Sequence, residues 1–324
     1  MSLIQNIRQP ISSEMQAFND RFKMEFVSEN KILTTINSYI LQTTGKQLRP
    51  ILTILSAKIC GEINQSTIDG AIALELLHTA SLIHDDVVDN SLKRRGHLSV
   101  NAHWSNKYAI LTGDYLFSKS LKCATNTKNL KILELISNIV MTLCDGELLQ
   151  LSNQQHINMT EKDYFDIIHK KTAILFSSCT ELGGLSVHAK KSQLKHLRSF
   201  GEFLGICFQI KDDIFDFSDS ILVGKPTGID IMEGKLTLPL IYVLENSKNP
   251  TKNKIIKWIQ CEEFSAKNIH FISRFVHEEG GITYAEKQME IYKNKALEEL
   301  SDFKDGEIKD SLMACVKYAT VRDH

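Results

Sequence analysis

Two acidic motifs of the same form, DDxxD, lie far apart in the chain, at residues 85–89 and 212–216. The first and last aspartates of each motif are four residues apart, so on a helix they share one face. Carboxylates clustered in apolar surroundings repel one another, and they persist only where a positive charge lies between them. Mg²⁺ prefers oxygen ligands and, when few carboxylates hold it, completes its shell with water and substrate phosphates. The repeat therefore predicts two acidic helices that hold a magnesium-bound diphosphate between them.

Basic residues near the first motif occur at positions suited to binding phosphate oxygens. Arg94 and Arg95 follow the motif by about one turn, and guanidinium groups bind phosphate through paired hydrogen bonds. Lys46 and Arg49 lie at a predicted helix start, where free backbone N–H groups attract anions. His78 lies two turns before the motif on the same face, where it can donate to a second anion. Each group also has an alternative interpretation. Residues 94–95 would cap a helix end, Lys46 and Arg49 would be solvated surface charges, and His78 would be a buried core histidine.

A second group of polar residues surrounds the later motif. Lys171 and Thr172 follow a predicted helix, and Gln209 precedes the motif by three residues. Lys171 is suited to bind a leaving diphosphate. The oxygens of Thr172 and Gln209 are neutral dipoles, which are suited to stabilise a developing carbocation. Lys225 and Lys235 lie in a segment rich in Gly and Pro, which predicts a lid that closes over bound substrate. A solvent-facing lysine at 171 and a mobile surface loop are the alternative interpretations.

The elements that carry these residues are predicted to be helices. The prolines lie at positions 10, 50, 226, 239 and 250, so the stretch 51–225 has none. That stretch has apolar residues at helical spacing, as in Leu74, Leu77 and Leu82, and little strand-like alternation. No segment has the composition of a linker. The sequence therefore predicts an all-α protein with a single domain over residues 1–324.

Composition excludes several classes of protein. With 43% hydrophobic residues the 324-residue chain is too apolar for disorder, and its formal net charge of −1 gives no general attraction to nucleic acid. The seven cysteines are scattered without a CxxC pair, which favours reduced thiols and a cytoplasmic location over disulfides or a zinc site. No uncharged apolar run approaches the ~18 residues that a membrane span needs.

Seven segments in order resemble the trans-type polyprenyl diphosphate synthases over nearly the whole chain. They are GKQLRP at 45–50, LLHTASLIHDDVVD at 76–89, RRG at 94–96, GD at 113–114, KTA at 171–173, FQIKDDIFD at 208–216 and GKLTLP at 234–239. The resemblance implies an isoprenoid synthase-like bundle of long helices around a central cavity, normally a homodimer. It also implies head-to-tail condensation of isopentenyl diphosphate with an allylic prenyl diphosphate.

The same resemblance implies a role for each matching residue. Those expected to bind Mg²⁺ are Asp85, Asp89 and Asp212. Those expected to contact the allylic diphosphate are Arg94, Lys171 and Lys235, with Thr172 and Gln209 near the cation. Those expected to hold isopentenyl diphosphate are Lys46, Arg49, His78 and Arg95. Those expected to support the site are Asp86, Asp213, Asp216 and Lys225.

Product length is expected to depend on the residues before the first motif. Ser81 and Ala80, four and five residues before Asp85, are small, whereas short-chain members of this family tend to have a bulky aromatic residue there. The next turns present Leu77 and Leu74, about 12 and 16 Å along the helix. This predicts a long product, most similar to the octaprenyl type, made from a farnesyl or geranylgeranyl primer for quinone side chains. A product this apolar implies at most peripheral membrane contact.

Four alternatives differ in what they require of the sequence. A farnesyl or geranylgeranyl synthase would share the motifs and release a shorter product. A terpene cyclase needs no second anion site, so Lys46 and Arg49 argue against it. A metal phosphohydrolase, suggested by His84 beside Asp85, needs further metal-binding histidines that form no convincing set here. A non-catalytic subunit that binds prenyl diphosphate usually lacks some motif aspartates, and this chain keeps all six.

Overall fold

The fold is known from a computed structural model, which describes residues 3–43, 45–153, 158–217 and 228–321. The described residues are almost entirely helical, which confirms the predicted all-α class. The strands among them form one hairpin, in which β1 (Lys93–Arg94) pairs antiparallel with β2 (His97–Leu98). Within the described residues, no helix combines the length and the hydropathy that crossing a bilayer requires.

The described residues form mostly long helices and a few short ones. In chain order they are α1 Leu3–Arg8, α2 Ser12–Glu25, α3 Lys31–Gln42, α4 Leu48–Lys58, α5 Gln65–Val88, α6 Val100–His103, α7 Asn106–Asn126, α8 Leu130–Asn153, α9 Glu161–Ile168, α10 Ile174–Ser186, α11 Lys191–Asp216, α12 Ile229–Met232, α13 Leu238–Asn246, α14 Lys252–Gln260, α15 Ala266–Glu278, α16 Gly281–Glu298 and α17 Glu307–Val321. A 3₁₀ turn (Gln9–Ile11) joins α1 to α2, and a π-helical turn (His169–Ala173) joins α9 to α10.

The chain forms two compact units. The first comprises Met1–Asn138, Ser178–Arg198 and Phe303–Leu312. The second comprises Ile139–Ser177, Ser199–Asp302 and Met313–His324. The first acidic motif belongs to the first unit and the second motif to the second unit. A single domain over residues 1–324 stays a prediction.

Helix α5 is the central helix of the first unit. It starts at a capping box formed by Asn64 and Thr67, which satisfies the free N–H groups of its first turn. It is apolar on all sides over most of its length, as expected of a helix buried among others. Helix α7 runs antiparallel to it, because His84 lies against Gly113 at one end and Ser120 donates to the Ala73 carbonyl at 2.7 Å nearer the other.

The core of the second unit packs around the part of α11 that carries the second motif. Its buried side chains are contributed by α9, α11, α13, α14, α15 and α16, and include Ile210, Ile214 and Phe217. Helix α9 starts at a second capping box, between Thr160 and Asp163, which fixes where its aromatic residues point. The two acidic motifs therefore each end a long helix that is buried by its neighbours.

Candidate active site

The first acidic motif ends helix α5 and divides into two parts with different environments. Asp85 and Asp89 lie one turn apart, since the Asp89 N–H donates to the Asp85 carbonyl at 2.8 Å, and both side chains are half-buried. Asp86 is buried and accepts hydrogen bonds from Arg94, at 2.8 Å from Nε and 2.7 Å from Nη2. The outer aspartates therefore present two carboxylates on one face, while the middle one holds the following hairpin in place.

The RRG segment forms a turn of that hairpin. Arg95 and Gly96 both have positive φ angles, 51° and 81°, and they connect the paired residues Arg94 and His97. Two central residues with positive φ define a type I′ turn, which the glycine makes easier to form. The alternative in which residues 94–95 cap the end of the acidic helix is therefore wrong, because that helix ends at Val88.

A cavity of about 60 Å³ in the first unit brings together several residues predicted to bind a diphosphate. His78, Arg94 and Arg95 line it, together with Gly45 and Glu75. The Arg95 guanidinium donates to the Thr43 carbonyl at 2.8 Å and lies where a side chain on Gly45 would be. Glycine at position 45 therefore gives this guanidinium its place at the edge of the cavity.

Two further predicted residues of this group lie outside the cavity lining. Arg49 is half-buried on α4, close enough to act electrostatically on His78. Burial, followed by the charges of Arg49, Arg95 and Arg94, lowers the pKa of His78 well below its usual value. The imidazole is therefore neutral at physiological pH and carries one N–H donor. Lys46 is exposed, and its carbonyl accepts a hydrogen bond from Arg8.

Glu75 also lines this cavity, and the sequence patterns did not single it out. It lies one turn before His78, is only 8% exposed, and its Oε2 atom has no hydrogen-bond partner. Burial raises the pKa of Glu75, and the charges of Arg49 and Arg95 oppose that rise. An ionisable residue inside the apolar run AIALELL was the available signal, because such residues are rarely buried without a function or a partner.

A cavity of about 200 Å³ in the second unit brings together five of the predicted residues. They are Lys171, Thr172, Gln209, Asp213 and Lys235, which are far apart in sequence. The other polar lining residues include Tyr164 and Asp230, and the apolar ones include Met159, Ile167, Ile168 and Leu236. Lys225 lies outside the described residues.

The π-helical turn places Lys171 and Thr172 at this cavity. A π turn inserts one residue into a helix and commonly occurs at functional sites. Two glycines on neighbouring helices pack directly against the turn at Lys171. A Cβ on Gly146 would lie 2.7 Å from the Lys170 Cβ, and one on Gly205 would lie 2.6 Å from the Ala173 Cα. Close approach of α8 and α11 therefore holds the turn in its unusual geometry.

Each of the two lysines is paired with a glutamate. Lys171 Nζ lies 2.6 Å from a carboxylate oxygen of Glu147, and Lys235 Nζ lies 2.7 Å from one of Glu233. All four side chains are at least partly buried. The pairs hold the ammonium groups in position before any anion binds, and Glu147 is a further residue that the sequence reasoning did not single out.

The middle aspartate of the second motif is buried, as in the first. Asp213 accepts a hydrogen bond from the Tyr164 hydroxyl at 2.6 Å and from the Gln209 amide at 2.8 Å. Burial and the nearby charge of Asp230 raise the pKa of Asp213 well above its usual value, and these two hydrogen bonds act in the opposite direction. Asp212, next to it, is half-buried in the last turn of α11.

The last aspartate of the second motif contacts the start of the short helix α12. Asp216 accepts from the backbone N–H groups of Ile229 at 2.9 Å and Asp230 at 3.2 Å, and so caps the short helix α12. Burial and the charge of Asp216 raise the pKa of Asp230 to about 7. Asp230 lines the cavity, and the sequence reasoning did not select it because it lies in a loop-like segment rich in Gly and charge.

The residues predicted to set product length are not equally accessible. Leu74, Leu77 and Ala80 are almost fully buried among the helices of the first unit. Ser81 is half-buried, and its hydroxyl donates to the His78 carbonyl at 2.9 Å. Position 81 is therefore the one of the four at which a larger side chain meets least resistance. Their role in setting product length stays a prediction.

The outer aspartates of the two motifs have oxygen ligands that suit magnesium. In the first unit Asp85 and Asp89 offer carboxylate oxygens from α5, and in the second unit Asp212 offers one from α11. Among the described residues no group of three His, Cys, Asp or Glu side chains forms a metal site by itself. A hard cation with one or two carboxylate ligands takes its remaining oxygens from water and phosphate, so this donor set fits Mg²⁺.

Residues 30–274 match the family model described as polyprenyl synthetase. The chain belongs to the polyprenyl synthetase family. The match confirms two predictions from the sequence, namely the family and the enzyme class, which is that of a prenyltransferase. The all-trans-nonaprenyl-diphosphate synthase (geranyl-diphosphate specific) of Rhodobacter capsulatus is 33% identical over 321 residues, which cover 98% of each chain.

Solved structures of this family share the fold. A polyprenyl synthase from Caulobacter crescentus, complexed with calcium and isoprenyl diphosphate, has a TM-score of 0.94 at 28% identity and covers 99% of this chain and 98% of its own. A geranylgeranyl pyrophosphate synthase from Bacteroides thetaiotaomicron has a TM-score of 0.86 at 38% identity, covering 99% and 100%. The predicted fold family is thereby confirmed, and these relatives differ in the product that their names give.

Proposed function

We propose that this family member is a magnesium-dependent synthase that adds isopentenyl diphosphate units to an allylic diphosphate, farnesyl or geranylgeranyl, and releases a long-chain all-trans polyprenyl diphosphate. The observation that carries the proposal is the cavity of the second unit. It places two cations, Lys171 and Lys235, beside two neutral oxygen dipoles, Thr172 and Gln209. Cations suit a leaving diphosphate and neutral oxygens suit the carbocation that it leaves behind.

The first step is the loss of diphosphate from the allylic substrate. Asp85, Asp89 and Asp212 would hold Mg²⁺, which neutralises the charge that grows on the departing oxygens. Lys171 and Lys235 add two positive charges that are already in position through their glutamate partners. Preorganised charges of this kind lower the barrier because they need no rearrangement at the moment of reaction.

The second step is attack on the allylic cation by the C=C bond of isopentenyl diphosphate, followed by loss of a proton. Thr172 and Gln209 offer oxygen lone pairs that stabilise the cation electrostatically and are too weak as nucleophiles to compete with the alkene. Met159, Ile167 and Ile168 make part of the cavity wall apolar, which keeps out the water that would otherwise capture the cation.

The basic cluster of the first unit is proposed to hold isopentenyl diphosphate. Arg95 and His78 line the same cavity, Arg49 acts on His78 through its charge, and Lys46 is exposed just before α4. A neutral imidazole donates one hydrogen bond without adding a further charge to this crowded group. A second anion site of this kind favours prenyl transfer over terpene cyclisation.

Product length is tested by giving the purified enzyme farnesyl diphosphate, isopentenyl diphosphate and Mg²⁺, and separating the dephosphorylated products by reversed-phase chromatography. We expect a dominant product of the octaprenyl type, because residues 80 and 81 are small. The nonaprenyl-named relative agrees with a long product. A dominant geranylgeranyl product, as the name of the Bacteroides thetaiotaomicron structure would suggest, would contradict this length assignment and leave prenyl transfer intact.

Ser81→Phe is expected to shorten the product while changing turnover of the first condensation little. The growing chain is proposed to run along α5 from Asp85 towards Leu77, so an aromatic ring at position 81 blocks it within about one turn. Position 81 is preferred to position 80 because Ala80 is 2% exposed and a larger side chain there would overpack the core. Ser81→Ala is the matched control and should leave the product unchanged. An unaltered product from Ser81→Phe would show that the chain takes another path.

The remaining features of the proposal come from the family resemblance. We propose a single catalytic domain in a homodimer, in the cytoplasm, with at most peripheral membrane contact and with quinone side chains as the use of the product. Light scattering on the purified protein tests the dimer, and a monomer mass would exclude it.

A further inference from the structure

A chain of three hydrogen bonds crosses the wall of the cavity in the second unit. The Thr172 hydroxyl donates to Gln209 Oε1 at 2.7 Å, and Gln209 Nε2 donates to Asp213 Oδ1 at 2.8 Å. The Tyr164 hydroxyl donates to the other oxygen of the same carboxylate, Oδ2, at 2.6 Å. All four residues line the cavity. We call this chain the Tyr164–Thr172 relay.

The structure gives the direction of each hydrogen bond. Gln209 turns its amide NH₂ group, which can only donate, to Asp213 Oδ1. The amide oxygen then faces Thr172, whose hydroxyl proton is committed to it. The lone pairs of the Thr172 oxygen are left for whatever occupies the cavity.

The opposite orientation of the amide would reverse the polarity at Thr172. If Gln209 turned over, its NH₂ group would donate to Thr172, and the threonine proton would be free to point into the cavity. A positive hydrogen would then face a carbocation, which is repulsive. The polarity of the cavity at this point therefore depends on what keeps the Gln209 amide from turning.

We propose that Tyr164 is a positioning residue for prenyl transfer, which holds Asp213 so that the Gln209 amide is fixed and Thr172 presents its lone pairs to the allylic cation. The inference rests on the proposed function, since it takes the reaction to pass through a cation in this cavity. Tyr164 itself is 2% exposed and packs edge-on against Phe165 at 5.3 Å, so its hydroxyl has little freedom to move.

Tyr164→Phe tests the relay because it removes one hydroxyl group and leaves the aromatic ring. Tyr284→Phe is the matched control: the Tyr284 hydroxyl also donates to a carboxylate, Glu161, at 2.7 Å in the same unit, but it does not line the cavity. In single-turnover condensation we expect Tyr164→Phe to lower the rate about tenfold, with KM for both substrates nearly unchanged. Tyr284→Phe should keep the wild-type rate. Equal rates in the two variants would overturn the proposal.

A double-mutant cycle separates the relay from a general loss of packing. Thr172→Val removes the hydroxyl that the relay is proposed to orient, so adding Tyr164→Phe to it should reduce the rate little further. If the two losses multiply, Tyr164 acts independently of Thr172 and the proposal is wrong. Asp213→Asn, whose amide can donate to Gln209 Oε1, should lower the rate in the same way if Tyr164→Phe does not fold. A wild type and a Tyr284→Phe variant that release no pyrophosphate would instead refute the proposed function.

Discussion

Asp85→Asn is expected to lower kcat by about three orders of magnitude, which corresponds to about 4 kcal/mol of lost transition-state stabilisation. The substitution removes one negative oxygen from the pair that Asp85 and Asp89 form at the end of α5, and so weakens the hold on Mg²⁺ where the leaving group develops charge. Pyrophosphate release measured at saturating concentrations of both substrates reports the effect. Raising the Mg²⁺ concentration should restore part of the lost rate, because the amide still offers one weaker oxygen ligand.

Asp86→Asn is the matched control, because it makes the same chemical change one residue away. Asp86 is buried and holds Arg94 through two contacts of 2.8 and 2.7 Å, so its loss should lower the free energy of unfolding by about 1–3 kcal/mol. Thermal unfolding should therefore distinguish the two variants, with a lower Tm for Asp86→Asn and a nearly unchanged one for Asp85→Asn. A fully active Asp85→Asn variant, or one as destabilised as Asp86→Asn, would remove Asp85 from the metal site.

The sequence was sufficient to predict the helices and several polar residues of each cavity. The spacing of apolar residues predicted long helices under both acidic motifs, and five of the predicted residues between 171 and 235 do line one cavity. Spacing also placed Asp85 and Asp89 on a common face. It does not separate them from Asp86, since that distinction depends on the contact with Arg94, which the hairpin provides.

Other features depend on contacts that no local pattern encodes. The π-helical turn at Lys171 and Thr172 exists where Gly146 and Gly205 let two neighbouring helices approach, and these glycines are 25 and 34 residues from Lys171. The type I′ turn at Arg95 and Gly96 lacks the Asn-Gly or Asp-Gly signal that usually predicts it. From the sequence alone, a capped helix end at residues 94–95 was therefore an equally reasonable expectation.

Arg95→Gln is expected to raise KM for isopentenyl diphosphate by about 10- to 100-fold, because a hydrogen bond to a charged group contributes about 1.5–3 kcal/mol. The KM for the allylic substrate should change little, since the proposed site for that substrate uses other residues. Initial rates with each substrate varied in turn give both constants. Lys93→Gln is the matched control. Lys93 is exposed in the same hairpin, and its substitution removes the same charge. Equal changes in the two KM values would show that Arg95 supports both sites or the fold.

The buried carboxylate of Glu75 provides a second way to test the same site. Arg95 is one of the two cations that offset the charge of Glu75, so in Arg95→Gln the ionised form of Glu75 is balanced by Arg49 alone and repels an incoming diphosphate. Part of the rise in KM should therefore come from Glu75 and not from the lost guanidinium contact. Adding Glu75→Gln to Arg95→Gln should lower KM for isopentenyl diphosphate again, by several-fold, without lowering KM for the allylic substrate. If the double variant binds isopentenyl diphosphate no better than Arg95→Gln, Glu75 does not act on this anion, and the 60 Å³ cavity that they share is not its binding site.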